Sequence, residues 1–178
     1  MPKGTMPGLI TTLKNRLGNA KRVALLGIGS EIRGDDAIGI VIAQDLKTYI
    51  KKNKLKYVKV FFGGTAPENL TGEIKKFKPT HIIITDAVDF HQKPGTVKIV
   101  DIDKETGASF STHRIPIKVM NDYLYKSIAC ETIIIGIQPQ ALGFYAQLSQ
   151  KTRAAAASVT NAIGRALPRA GNPRASAR

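Results

Sequence analysis

The sequence predicts an α/β protein: a three-layer α/β/α sandwich around a mostly parallel, twisted sheet of about five strands. Three observations lead there. Short all-apolar runs at VALLGI, HIIIT and TIIIGI have the composition of strands buried on both faces, as a parallel sheet requires. Between them, apolar residues recur at three- and four-residue spacing, the period of an amphipathic helix. The 178 residues are one domain's worth of chain.

The elements follow in order. Residues 7–17 place Leu9, Ile10, Leu13 and Leu17 at helical spacing, and residues 23–28 are the first buried strand. Residues 37–50 form a helix with Ile38, Ile42, Leu46 and Ile50 on one face and Gln44, Asp45 and Lys47 off it. Residues 57–62 alternate as a second strand, and residues 68–77 make a short helix with Leu70, Ile74 and Phe77 inward. Residues 81–85 are the third strand. Lys93, Pro94 and Gly95 then signal a turn, and a connection this short is too small for a crossover, so residues 96–100 are expected antiparallel. Ile117, Met120, Leu124 and Ile128 mark a further helix, residues 132–137 the last buried strand, and Ser149 the cap of a helix reaching about Leu167. Residues 1–167 read as a single domain. Residues 168–178 read as a basic tail, expected to be disordered because it carries no large apolar side chain.

The formal charge of +14 points less to nucleic acid than its size implies. Residues 1–22 hold five basic residues and residues 151–178 six, with no acid in either, so the body between them carries only +3. Aromatics are 6%, and no folded basic face interleaved with aromatic residues is evident. The one cysteine, Cys130, excludes an internal disulfide and a cysteine-rich zinc site. No apolar run reaches the ~18 residues of a membrane span, and the N-terminus lacks a signal peptide's apolar core. The expected setting is the cytoplasm, with no direct membrane insertion and no nucleic-acid partner.

In open α/β sheets, ligands bind beyond the carboxyl ends of the strands. The residues there are 29–36 (GSEIRGDD), Gly63, Gly64 and Thr65, then Asp86, then Gln138 and Pro139. GIGSEIRGDD is neither the dinucleotide fingerprint, since its third glycine, Gly34, comes too late, nor a phosphate loop, since no Gly-Lys-Ser/Thr follows. Asp35 and Asp36 would repel a phosphate and suit a cation, although one of them could simply cap the following helix. Asp86 is expected to be partly buried, and so paired, hydrogen-bonded or metal-bound. His81 opens a strand at the far edge and reads as structural; His91 lies in a polar turn and reads as exposed. His113 precedes an amphipathic helix, and together Asp36, Asp86 and His113 make a plausible set for a divalent first-row metal. Cys130 lies at the opposite end of the sheet and reads as an idle, buried thiol. With no evident protein nucleophile, attack by water with Asp36 or Asp86 as general base is the economical chemistry. Gly29, Gly64, Thr65 and Gln138 are candidate substrate-binding positions.

GIGSEIRGDDAIG, GGTAPENL, ITDAVDFHQKPG, STHRIP and IGIQPQALGFY, in that order, resemble the nickel–iron hydrogenase maturation endopeptidases, in particular the hydrogenase 3-type branch. The resemblance implies an aspartic-type endopeptidase that removes the C-terminal extension of the hydrogenase large-subunit precursor once nickel is inserted. Nickel is then the recognition signal, held by the substrate and bound weakly by the free enzyme. It places the metal-side residues on Asp36, Asp86 and His113. Ser30 stands where the family usually has Asn, Ala37 replaces a common Gly, and His91 occupies a place where many members have Gly. The alternatives are a small-molecule hydrolase or phosphorylase using the same crevice, and a non-enzymatic nucleic-acid or scaffold protein using the charge.

Overall fold

The computed structural model describes residues 6–101 and 114–168. The order is α1 (Met6–Arg16), β1 (Val23–Ile28), a 3-10 turn (Gly34–Ala37), α2 (Ile38–Asn53), β2 (Val58–Gly64), a second 3-10 turn (Pro67–Leu70), α3 (Thr71–Phe77), β3 (His81–Ala87), β4 (Val97–Val100), α4 (Arg114–Ile128), β5 (Glu131–Ile137) and α5 (Gln150–Ala166). The five strands form one sheet in the order β2-β1-β3-β5-β4. All neighbours are parallel except β4, which runs antiparallel to β5, as the short 93–95 connection requires.

β1 and β3 are buried along their whole length, because helices cover both faces. Leu25, Ile83, Ile133 and Ile135 pack under α1, α2 and α5, through Leu13, Ile42 and Val159 among others. Ala24, Leu26, Ile82 and Ile84 pack under α3 and α4, through Ile74, Met120 and Leu124. β2 lies at the edge and shows a looser burial pattern, with Lys59 and Phe62 exposed.

Several boundaries differ from the sequence reading, among them the end of β2, which runs to Gly64, so that Gly63 and Gly64 lie within the strand rather than after it. The short third helix does not begin at residue 68: Pro67 opens a 3-10 turn, and the α-helix starts at Thr71. β3 runs two residues past HIIIT, so Asp86 lies within the strand rather than after it, in register with Gly136 of β5. α2 begins at Ile38, because Gly34–Ala37 is a separate 3-10 turn. Ser149 caps α5 as expected, accepting a hydrogen bond from the Thr152 amide. The tail from residue 169 and the loop carrying His113 lie outside the described residues.

The strand order reverses between β1 and β3: β1 leads to β2 on one side, and β3 lies on the other. A crevice opens where successive crossovers diverge in this way, and ligands bind at its carboxyl end. α2 descends closely onto this point. A β-carbon on Gly39 would lie 2.2 Å from the carbonyl oxygens of Ile28 and Thr85, and one on Gly27 would lie 2.2 Å from the Gly39 carbonyl oxygen. Two glycines therefore let the first turn of α2 rest directly on the ends of β1 and β3.

Candidate active site

The chain leaves β1 through Gly29, whose φ of +133° is one that side-chain-bearing residues rarely adopt. A β-carbon there would lie 1.7 Å from the Asp36 carbonyl oxygen. The loop thus folds back on itself and brings Asp36 over the end of β1. The Gly29 amide also donates to the Gly64 carbonyl at 2.9 Å, tying the end of β1 to the end of β2.

Asp36 is buried, and its Oδ2 accepts from the Ser30 amide at 3.0 Å. Among the described residues nothing donates to its Oδ1. Asp86 is fully buried near the carboxyl end of the adjoining strand. Its strand neighbours Ile84 and Val88 belong to the layer under α3 and α4, so its side chain points toward that layer, where α4 begins at Arg114. Its register partner is Gly136, against which Phe90, Val88 and Val100 pack so closely that a β-carbon there would lie 2.6–3.0 Å from them. Two carboxylates are thereby held at the carboxyl ends of two adjacent central strands. Among the described residues no three His, Cys, Asp or Glu side chains gather as a metal cage. His113, the third member of the expected set, is outside those residues.

Asp35 behaves differently from its neighbour. The helix-cap reading fails for both aspartates, since α2 has Ala37 as its N-cap and no side-chain cap hydrogen bond. Asp35 instead reaches across to the segment after β5. It accepts from the amides of Gln140 (2.7 Å), Ala141 (3.1 Å) and Ser149 (2.6 Å), and from the hydroxyls of Ser149 and Thr152 (both 2.9 Å). Its own amide donates to the Ala141 carbonyl. Burial pushes the Asp35 carboxyl up, but the hydrogen bonds from Ser149, Gln140 and Ala141 outweigh it and hold the pKa below the usual aspartate value. Asp35 is thus the rivet between the first loop and the 140–149 loop.

The candidate substrate positions separate as well. Gly29, Gly64 and Thr65 line a cleft of about 680 Å³ together with Ser30, Ile32 and Phe62. Gln138 is buried and spends its amide on the neighbouring loop. Its Oε1 accepts from the Phe90 and Gln92 amides, and its Nε2 donates to Asp89 Oδ1 and the Pro139 carbonyl. Both donors and both lone pairs are used, so Gln138 shapes the loop after β3 and has no free amide for a substrate. The sequence reading missed this staple and the Asp35 rivet. For Gln138 the only signal was a polar residue directly after an all-apolar strand, and for Asp35 an acid beside the entry to a helix, and such residues serve either role.

The remaining candidates stand as read. His81 is buried at the amino edge, with Nδ1 3.0 Å from Thr80 Oγ1 and Nε2 3.3 Å from Glu131 Oε2; burial lowers its pKa despite the carboxylate. His91 is exposed and in a left-handed conformation, φ +54°, the geometry that glycine adopts at such a turn. Cys130 is buried at the amino edge, and burial pushes its thiol up to about 12. It stays protonated at neutral pH and is no nucleophile.

Comparison with known proteins decides between the remaining readings. The model of the HycI hydrogenase maturation protease family matches residues 40–166. The chain belongs to the hydrogenase maturation protease family. The Hydrogenase 3 maturation protease of Escherichia coli K12 is 35% identical over 137 residues, which is 76% of this chain and 84% of that one. The crystal structure of a [NiFe] hydrogenase maturation protease HycI from Thermococcus kodakarensis superposes with a TM-score of 0.79 at 29% identity, covering 88% of this chain and 98% of that one. The solution structure of the endopeptidase HycI from Escherichia coli gives 0.67 at 32% identity, covering 79% and 87%. The three-layer α/β fold is the fold of this protease family, and the activity it carries is peptide-bond hydrolysis. The small-molecule-hydrolase and nucleic-acid readings are set aside. Among the described residues no helix is long and apolar enough to cross a membrane.

Proposed function

We propose that this protease removes the C-terminal extension of a nickel–iron hydrogenase large-subunit precursor after nickel insertion, with the nickel held by the substrate as the recognition signal. The observation that carries the reading is the pair of buried carboxylates, Asp36 and Asp86, at the carboxyl ends of β1 and β3. Hard oxygen donors at a sheet switch point suit a cation brought in by a protein substrate. His113, from the family resemblance, would complete the set.

The chemistry then falls to water. A carboxylate oxygen not engaged with the ion accepts a proton as water adds to the scissile carbonyl carbon. The tetrahedral adduct collapses, the C–N bond breaks, and the amine leaves with a proton. Asp36 Oδ1, which has no donor among the described residues, is the oxygen suited to this role. Asp35 does not share it, because its oxygens are occupied by the 140–152 segment.

The test is intact-mass measurement of the precursor after incubation with Asp36→Asn and Asp86→Asn. Each should cut the cleavage rate by at least about a hundredfold, the scale of a lost general base or charge partner, with circular dichroism unchanged. A folded Asp86→Asn variant that cleaves at near-normal rate would overturn the assignment.

A further inference from the structure

Arg33 stands just before the Gly34–Ala37 turn, and the site described so far does not use it. Among the described residues its buried Nε finds no acceptor and no carboxylate lies within ion-pair distance of it. The acids that follow it are engaged elsewhere, Asp35 with the 140–152 segment and Asp36 Oδ2 with Ser30. A guanidinium N–H left without an acceptor is costly, and in a native structure it asks for a ligand. The guanidinium sits over the Phe144 ring at 5.2 Å. A guanidinium held over a ring face keeps its terminal N–H groups for acceptors.

The surroundings are apolar and exposed: Ile32 at 53%, Leu142 at 42%, Phe144 at 66% and Tyr145 at 87%. They are not loose side chains on independent loops. The Tyr145 amide donates to the Ile32 carbonyl at 2.7 Å, and Asp35 fastens the same two loops a few residues away. A β-carbon on Gly34 would lie 2.8 Å from the Ala141 carbonyl oxygen, so the loops also meet backbone to backbone. The result is a built ledge beside Asp36, with one arginine among aromatic and aliphatic side chains. That is the composition of a protein-interface hot spot. A nucleic-acid backbone would need several cations here, and the ledge offers one.

We infer that Arg33 and the Phe144–Tyr145 ledge are the docking anchor for the protein substrate, with Arg33 taking a carboxylate side chain bidentately and the ledge taking an apolar side chain beside it. The inference rests on the reading of a protein substrate given above, and names the chemistry that reading leaves open. Charge complementarity selects the carboxylate: a planar guanidinium with no carboxylate partner among the described residues is matched best by a planar anion.

Steady-state cleavage of nickel-loaded precursor tests it, with precursor binding measured by calorimetry as a readout that needs no cleavage. Arg33→Ala should raise KM and Kd about tenfold or more, with the loss in kcat/KM carried by KM. Arg33→Lys should recover part of that loss, and Phe144→Ala should weaken binding less. Added salt should weaken binding of the wild type more than of Arg33→Ala. Folded Arg33→Ala and Phe144→Ala variants that keep the wild-type KM and Kd would overturn the anchor while leaving the proposed function standing. A wild type that binds the precursor through Arg33 yet never cleaves it would overturn the function and keep the anchor. Failure to bind the precursor at all would overturn both.

Discussion

Asp35 and Asp36 are neighbours in sequence and part company in space. The sequence placed two acids at the entry to a helix and left open whether either was a cap. Neither is, because the 3-10 turn turns one carboxylate toward Ser30 and the other toward the segment after β5. No local pattern distinguishes these fates, since Asp35's partners lie more than a hundred residues away. By contrast His81, His91 and Cys130 were legible, because strand-edge position and turn chemistry are local. The depressed pKa of Asp35 has a consequence for stability. The carboxyl is more acidic folded than unfolded, where an aspartate titrates near ~3.9. Its contribution is therefore fully present above that value and is lost as pH falls through the folded pKa. Asp35→Asn should flatten the acid limb of a denaturant-midpoint-against-pH curve. At neutral pH it should cost about 2 kcal/mol or more, since charged acceptors of buried amides contribute about 1.5–3 kcal/mol. An unchanged acid limb would mean that Asp35 is not the rivet.

At the scale of elements, the sequence made the helices and strands legible through hydrophobic period, and missed their ends where turns intervene. Pro67 shortened α3, and Asp86 was drawn into β3 because β5 continues beside it as far as Ile137. The close seat of α2 was not legible at all. Gly27 and Gly39 looked like ordinary strand and helix positions, and only their mutual approach explains them. Gly39→Ala replaces a poor helix former with a good one, which on an exposed helix would stabilise by about 1 kcal/mol. Here the added methyl meets two carbonyl oxygens, so the substitution should destabilise, by about 2 kcal/mol or more on the scale of overpacked cores. Equilibrium urea unfolding reads the sign directly. A stabilised Gly39→Ala would show that α2 does not sit on the ends of β1 and β3 as described. Because that seat helps position both carboxylates, the same variant should also process precursor more slowly.

For the whole molecule, the fold class and the antiparallel run of β4 were readable, because burial on both faces writes itself into composition and a short connection allows no crossover, while the candidate site was placed at the carboxyl edge by the rule for open α/β sheets. The charge of the whole chain was the weakest guide: it is concentrated toward the two ends, whereas the ledge by Asp36 carries Arg33 amid apolar residues. The claim that joins fold to function is that two strand-end carboxylates read a nickel ion carried by the substrate. The direct measurement is incubation of the purified protease with a hydrogenase large-subunit precursor in nickel-loaded and nickel-free forms, followed by intact-mass spectrometry of the large subunit. The account predicts loss of a C-terminal peptide from the nickel-loaded precursor and none from the nickel-free one. Equal cleavage of both forms, or none of either, would contradict it.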